Sequence, residues 1–122
     1  MTGNELFSQA LGMVGERVSD SDLACFAAGW ISLLLAEAFD VENSVLKSEG
    51  RAPFEHVPVL KALGDEIPYS DRVAKYALPD GLAAFLYEVS DDPDMAADYR
   101  ARYIAALREC ARLAPADVAD CY

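Results

Sequence analysis

The stretch KYALPDGLAAFLYEV, which runs from Lys75 to Val89, combines good helix formers with three residues that normally mark a turn. These residues are Pro79, Asp80 and Gly81. The apolar residues around them nevertheless keep one helical phase: Ala74, Leu78, Leu82, Phe85 and Val89. A turn usually resets this phase, whereas a proline can bend a helix without ending it. The pattern therefore favours one helix kinked at Pro79 over two helices joined by a turn, and Gly81 leaves room for another helix to approach closely.

This kinked helix is the third of four predicted helices, and it runs from a cap at Ser70–Asp71 to about Ser90. The fourth begins at SDDPDM, where Asp92 suits the cap position and Pro93 the first helical position, and it ends before Pro115. Its predicted buried stripe consists of Ala96, Tyr99, Tyr103, Ala106, Leu107, Cys110 and Leu113.

Two helices are predicted upstream of this pair. The first covers residues 4–18, with Asn4 as its cap and an apolar face made of Leu6, Phe7, Ala10, Leu11, Val14 and Val18. The second is predicted to run unbroken from Ser21 to Glu49, roughly 40 Å at 1.5 Å per residue, and to stop at Gly50. It is apolar nearly all round as far as Phe39, which is typical of a helix in the centre of a bundle or in an interface.

The connection of residues 51–69, called the arm below, contains three prolines and cannot form one regular element. It is long for a compact domain, and long connections are usually functional or disordered. Its apolar content, which includes Phe54 and Leu60, predicts that it packs on its own bundle or on a neighbouring subunit. The sequence thus predicts an all-α protein: a small four-helix bundle in a single domain of residues 1–114, with a tail at residues 115–122.

Composition limits the possible partners. The 122 residues are 53% hydrophobic and 25% charged, which is typical of a globular protein, and the formal net charge is −11. A general nucleic-acid binder gains affinity from Lys and Arg, so this excess of acid argues against one. The same charge opposes binding to an anionic membrane.

The cysteines and the N-terminus indicate a reducing compartment. Cys25, Cys110 and Cys121 form no CxxC pair, which argues against a disulfide framework and against structural zinc. Cys25 and Cys110 fall in apolar helical stripes, where a thiol acts as a small hydrophobe. No signal peptide is evident, and the most apolar run, Leu23 to Ala36, is 14 residues long, whereas a membrane-spanning helix needs about 20.

Motifs for catalysis, metals and cofactors are scarce, so we expect no enzyme activity and no cofactor. His56 is the only histidine, and no nucleophile motif lies near it. Glu37 is the one acid within the apolar second helix. It could be a buried functional acid, but the pattern favours a residue that reaches solvent or pairs with an arginine. The acids at positions 91, 92 and 94 lack the spacing of a calcium loop and are better explained by helix capping.

Cationic residues concentrate on the last helix, at Arg100, Arg102, Arg108 and Arg112. They could contact phosphate or an acidic partner. A solvated face paired with acids such as Asp98 and Glu109 is the favoured alternative.

Four phrases in the sequence resemble a family of tailed-bacteriophage proteins, the head-to-tail connectors, also called adaptors or head-completion proteins. They are ALGMVGE at Ala10–Glu16, DEIP at Asp65–Pro68, ALPDGLAAFL at Ala77–Leu86 and YRARYIAAL at Tyr99–Leu107. Their order and spacing cover most of the chain.

The resemblance implies a structural virion protein without catalysis. Such adaptors form a ring, commonly of twelve subunits, beneath the portal protein at the capsid vertex, after synthesis in the bacterial cytoplasm. The ring extends the channel for passing DNA, which it does not read, and it docks tail or stopper proteins. Surfaces for ring and partner contacts are expected on the arm, on the outer half of the second helix and on the tail. The residues concerned are Phe54, Val57, Val59, Leu60, Val45, Leu46, Val118 and Tyr122.

An alternative from another class also fits the composition. The chain could be an acidic helical binding protein, such as a phage inhibitor that mimics DNA charge or a small regulatory subunit. A DNA mimic should lose its binding to a basic enzyme steeply as salt rises.

Overall fold

The computed structural model describes residues 1–15 and 20–112, and within this part the protein is all-α, with one isolated bridge between Thr2 and Glu66 and no strand. Six helices are present: α1 (Gly3–Val14), α2 (Asp20–Glu37), α3 (Phe39–Ser48), α4 (Asp71–Ala74), α5 (Leu78–Val89) and α6 (Pro93–Arg112). Each of the six contributes to, or packs directly beside, one hydrophobic core. The four predicted helices become six because the second and the third are each divided.

The cap of α1 differs from the prediction. Thr2 caps the helix, not Asn4: its hydroxyl accepts a hydrogen bond from the Glu5 amide at 3.2 Å, and the Glu5 carboxylate accepts one from the Thr2 amide at 3.4 Å. This reciprocal pair satisfies two first-turn donors at once, which Asn4 could not do from inside the helix. Gly15 ends α1 in a left-handed conformation, at φ 69°. The predicted continuation through Val18 lies outside the described residues.

The prediction of one unbroken helix from Ser21 to Glu49 is wrong. The axes of Leu23–Glu37 and Phe39–Ser48 meet at 58°, and the bend is at Ala38, whose ψ of 2° departs from the helical value. The bend turns α3 back onto the core, where Ala38 and Val45 are fully buried. A straight helix would have carried the apolar face of α3 into solvent, so burial of that face explains the change of direction.

The prediction of one helix kinked at Pro79 is also wrong, although Leu78 to Gly81 are helical. The break lies upstream, at residues 75–77, and Pro79 occupies the first turn of α5, where its missing N–H costs no hydrogen bond. Lys75 and Ala77 stay near right-handed helical angles. The phase is therefore kept across the break, which is why Leu78 and Leu82 are fully buried as predicted.

The close approach predicted at Gly81 is confirmed. A Cβ atom at this position would lie 2.7 Å from Leu34 Cδ2 and 3.0 Å from the ring of Tyr103. α5 packs against α6, α1 and α2 and so occupies the centre of the fold, a place that the sequence had suggested for the second helix. The predicted start of α6 is confirmed too, since Asp92 Oδ1 accepts a hydrogen bond from the Met95 amide at 3.2 Å.

Among residues 1–15 and 20–112, no single helix is long and apolar enough to cross a membrane. α2 and α3 reach the length and apolar composition of a membrane span only when they are taken together across their 58° bend.

Candidate functional site: an anchored arm and an exposed apolar strip

The arm contains no helix, and two polar side chains hold its backbone to the helices. Asn43 on α3 accepts a hydrogen bond from the Phe54 amide at 2.8 Å and donates one to the Phe54 carbonyl at 3.3 Å. Ser32 on α2 does the same for Leu60, at 3.0 Å and 3.3 Å. Each clamp satisfies both backbone groups of one residue, which lets an irregular segment lie against the core.

The end of the arm is fixed by the N-terminal residues. The Gly3 amide donates to the Asp65 carbonyl at 3.1 Å, and the Ile67 amide donates to the Met1 carbonyl at 2.9 Å. A Cβ atom on Gly3 would lie 2.9 Å from the Leu63 carbonyl oxygen, so a residue without a side chain is needed for the arm to pass this closely.

Removing either clamp should loosen the arm without unfolding the protein. For Ser32→Ala and for Asn43→Ala we expect a loss of about 1 to 2 kcal/mol in the free energy of unfolding, because each leaves two backbone groups unsatisfied. Hydrogen exchange should accelerate at the Leu60 amide in the first variant and at the Phe54 amide in the second. Faster exchange at both amides in either variant would show that the clamps are not separate.

The anchored arm presents two valines to solvent. Val57 is 41% exposed and Val59 is 67% exposed. Phe54 is half-buried, with its ring centroid 5.6 Å from that of Tyr69. Leu60 is 4% exposed and belongs to the core. Of the predicted arm surface, the structure therefore offers chiefly Val57 and Val59 to a partner.

The predicted surface on the outer half of the second helix faces inward. Val45 is fully buried and Leu46 is 3% exposed, because the bend at Ala38 folds α3 onto the core. These two residues and Leu60 therefore lie inside the chain and not on a surface open to a partner. Val118 and Tyr122 lie outside the described residues.

An exposed apolar strip runs along α2 and α5, and it consists of Phe26, Trp30, Leu33, Phe85 and Val89. Phe26 and Leu33 are 59% and 55% exposed, and Val89 is 54% exposed. The Trp30 ring stacks between Phe26 and Phe85, at centroid distances of 5.9 Å and 6.0 Å. The sequence did contain an indication of this strip, because α2 is apolar on nearly every side. That pattern is equally typical of a helix in the centre of a bundle and of a helix in an interface, so it could not distinguish the two.

Cys25, which the sequence analysis placed in an apolar helical stripe, is exposed on the same helix. It lies on the side of α2 that no other described helix covers. Cys110 is buried as predicted and donates a hydrogen bond to the Arg72 carbonyl at 3.3 Å. Cys121 lies outside the described residues.

Three of the four arginines on α6 form ion pairs within the chain. Arg100 binds both carboxylate oxygens of Glu37, which confirms the expected pairing of that acid with an arginine. The other two pairs join residues within α6: Arg102 with Asp98 at 3.0 Å and Arg112 with Glu109 at 2.6 Å. The favoured interpretation of a solvated, paired face is therefore supported for these three. Arg108 is exposed and has no ion pair among the described residues.

Glu42 is the polar residue that sequence reasoning missed. It is a charged residue in the second half of the second predicted helix, and its side chain is fully buried. It accepts hydrogen bonds from the Ser70 amide at 2.9 Å and from the Ser70 hydroxyl at 2.8 Å, so it holds the start of α4 against α3. Burial raises the pKa of this carboxyl, and the two Ser70 bonds act in the opposite direction. Glu42 lies four residues after Ala38 and three before Val45, so it shares a helix face with two apolar residues. This spacing was the sequence feature that could have indicated its burial.

The remaining candidates for chemistry in the sequence are His56 and possible metal ligands. His56 is exposed on the arm. Within the described part of the chain, no group of three or more His, Cys, Asp or Glu side chains is placed to hold a metal ion. A shallow pocket of about 550 Å³ beside the arm is lined by Glu49, Arg51, Pro68, Tyr69, Ser70, Asp71 and Arg72.

Comparison with protein-family models, with curated proteins and with solved structures found no match to this chain.

Proposed function

We propose that the protein is a structural head-to-tail connector of a tailed bacteriophage, which assembles into a ring below the portal protein. The observation that carries this proposal is the anchored arm. Two side-chain clamps and the N-terminal backbone hold the arm in place, while Val57 and Val59 point to solvent. A clamped segment with exposed valines suits a permanent subunit contact, because little conformational entropy is lost when it binds.

The proposed subunit is a four-helix bundle of α1, α2, α5 and α6, to which α3, α4 and the arm are attached. A closed ring needs head-to-tail contacts between two different surfaces of the same chain. In the proposed ring, Val57 and Val59 of one copy contact a different face of the next copy. The net charge of −11 suits a channel through which DNA passes without binding. Tail or stopper proteins dock on the opposite end of the ring from the portal.

Charge placed on the arm tests this assignment. In the variant with Val57→Asp and Val59→Asp, we expect no ring particles on the portal, because the contact would bury two unpaired carboxylates. The free energy of unfolding should change by no more than about 0.5 kcal/mol, since both side chains are exposed. The measurement is electron microscopy of the chain mixed with the portal and tail proteins of its own phage.

Tyr76→Asp is the matched control, because Tyr76 is 62% exposed but lies outside the arm. This variant should assemble as the unmodified chain does. If the unmodified chain is absent from the capsid vertex, the connector assignment is wrong. If the double aspartate variant still forms rings, the assignment stands but the arm is not the subunit contact.

The charge distribution favours a second candidate, an acidic helical binding protein. Neither α2 nor α5 contains a single Lys or Arg, so two neighbouring helices carry acidic charge alone. A protein of this kind should remain a single chain at all concentrations. It should also bind a basic enzyme with an affinity that falls steeply as salt rises.

A further inference from the structure

The apolar strip on α2 and α5 is large for a surface exposed to water. Between Leu23 and Glu37, the exposed residues of α2 are Cys25, Phe26, Gly29, Leu33, Ala36 and Glu37, and Glu37 is the only charged one. Scattered single apolar residues are ordinary on protein surfaces, but a contiguous patch usually marks an interaction site. The rings of Phe26, Trp30 and Phe85 form a contiguous patch, because they stack one on the next. Leu33 follows Trp30 by three residues and Val89 follows Phe85 by four, so each lies on the same helix face as its neighbour.

The stacked rings are already ordered before any partner arrives. Trp30 is half-buried and held on both sides by phenylalanine rings. Aromatic anchors of this kind dominate the energy of many interfaces. Because their rotamers are already restricted in the free protein, these side chains lose less entropy when a partner binds.

Among the described residues, acids outnumber bases along the border of the strip. Glu37 and Glu88 line a shallow pocket of about 220 Å³ together with Phe85 and Arg100. Arg100, the only cation there, is held by Glu37. Glu88 and Asp91, at the end of the strip near Val89, are both exposed. The border therefore carries net negative charge with an apolar centre.

This charge pattern selects the kind of partner. A second copy of the same strip would bring acid against acid, and an anionic membrane would be repelled for the same reason. A segment with apolar residues along one face and Lys or Arg beside them would match both the centre and the border. Phe26 and Leu33 are seven residues apart, about 10 Å along α2 at 1.5 Å per residue, which equals the spacing of anchors on two turns of a partner helix.

We propose that the strip of Phe26, Trp30, Leu33, Phe85 and Val89 is a docking surface for a basic amphipathic helix of another protein. The proposal rests on the strip itself and does not depend on whether the chain forms a ring. The apolar face of the partner helix covers the aromatic rings, and its Lys or Arg side chains reach Glu88 and Asp91.

Trp30 provides a direct measurement, because it is the only tryptophan in the chain. The probes are three synthetic peptides without tryptophan: an amphipathic Leu/Lys helix, a scrambled peptide of the same composition with no apolar face, and an amphipathic Leu/Glu helix. The Leu/Lys helix should shift the Trp30 emission to shorter wavelength and saturate. The other two should bind at least about tenfold more weakly, because each lacks one half of the match.

Variants locate the binding on the strip. Phe26→Ser with Leu33→Ser should weaken binding of the Leu/Lys helix at least about tenfold, because both anchors are removed. Tyr76→Ser is the control, because it removes a side chain that is 62% exposed and is not part of the strip, and it should leave the affinity unchanged. Glu88→Lys, which keeps every apolar side chain, should weaken binding several-fold in low salt and less in high salt.

Several results would overturn the proposal. Equal binding of the scrambled peptide would show attraction by net charge alone. An unchanged affinity in the Phe26 and Leu33 variant, or no binding of the Leu/Lys helix to the unmodified chain, would place the partner elsewhere. Sedimentation that shows a dimer of the unmodified chain, lost in the same variant, would identify a second copy as the occupant. A Trp30 shift with anionic vesicles would identify a membrane instead.

Discussion

Replacing Tyr103 by alanine should lower the free energy of unfolding by about 3 to 5 kcal/mol, the cost typical of removing a buried aromatic ring. Tyr103 is 1% exposed and lies where three helices meet. Its ring rests on the space left by Gly81 of α5, and its hydroxyl donates to the Leu34 carbonyl of α2 at 3.3 Å. The substitution would leave a cavity where α2, α5 and α6 meet, and a close-packed interior relaxes only partly around such a cavity.

Two control variants separate the ring from its hydroxyl. Tyr103→Phe should cost no more than about 1 kcal/mol, because the Leu34 carbonyl also accepts a hydrogen bond from the Ala38 amide at 2.9 Å. Tyr76→Ala removes the same type of side chain from an exposed site and should stay within about 0.5 kcal/mol. Urea unfolding measures all three. A loss below about 1 kcal/mol in Tyr103→Ala would contradict the packing of α6 described above.

Glu42 should show the second large effect, and its variants should separate charge from hydrogen bonding. Glu42→Ala removes the acceptor for two Ser70 donors and leaves a cavity, so we expect a loss of about 2 to 4 kcal/mol in mildly acid solution. Glu42→Gln keeps an acceptor for the Ser70 amide and offers a donor to the Ser70 hydroxyl. It should therefore be close to the unmodified protein in stability under the same conditions.

The pH dependence follows from the raised pKa of Glu42. Burial raises it, the Ser70 amide, the Ser70 hydroxyl and Arg51 lower it, and Glu49 raises it further. The folded state thus holds this proton more tightly than the unfolded state. The resulting stability is complete below the ordinary carboxyl pKa and is lost as pH rises through the raised pKa of the folded state.

Glutamine does not titrate, so Glu42→Gln lacks this contribution to the pH dependence. The stability of the Gln variant relative to the unmodified protein should therefore rise from acid to neutral pH. Urea unfolding of both proteins over this pH range gives the difference directly, and the titrations of all other groups cancel in it. A difference that stays constant with pH would show that Glu42 ionises in the folded state as it does in the unfolded state.

The division of the third predicted helix shows what hydrophobic periodicity can predict and what it cannot. Of the five residues predicted to share one phase, Ala74, Leu78 and Leu82 are buried, whereas Phe85 is half-buried and Val89 is 54% exposed. The assignment of the kink to Pro79 was wrong, because a proline in the first turn of a helix is as compatible with that phase as a proline in a bend. Hydrophobic phase reports which side of the chain is buried, and it is insensitive to a short irregular segment that keeps right-handed angles.

Glu42, Val45 and Leu46 show the opposite case, in which local sequence was misleading. The sequence predicted one unbroken helix through Glu49, with Val45 and Leu46 on a surface for partners. The bend at Ala38 depends on contacts that α3 makes with residues far along the chain, such as Ser70. Local propensity contains no information on those contacts, so the bend could not be predicted from it, and only the spacing of Glu42 from Ala38 and Val45 pointed to the burial of the carboxylate.

The sequence by itself determined the helical class, the apolar phase that buries Ala74, Leu78 and Leu82, the cap of α6 and the need for a small residue at Gly81. These features depend on residues within a few positions of one another, where backbone geometry sets the rules. The tertiary structure decided the rest: the direction of α3, the inward placement of Leu60, the clamps on the arm and the exposure of Phe26 and Leu33. Burial is shared among distant segments that compete for one core, so only the folded chain decides which apolar residues are covered and which remain on the surface.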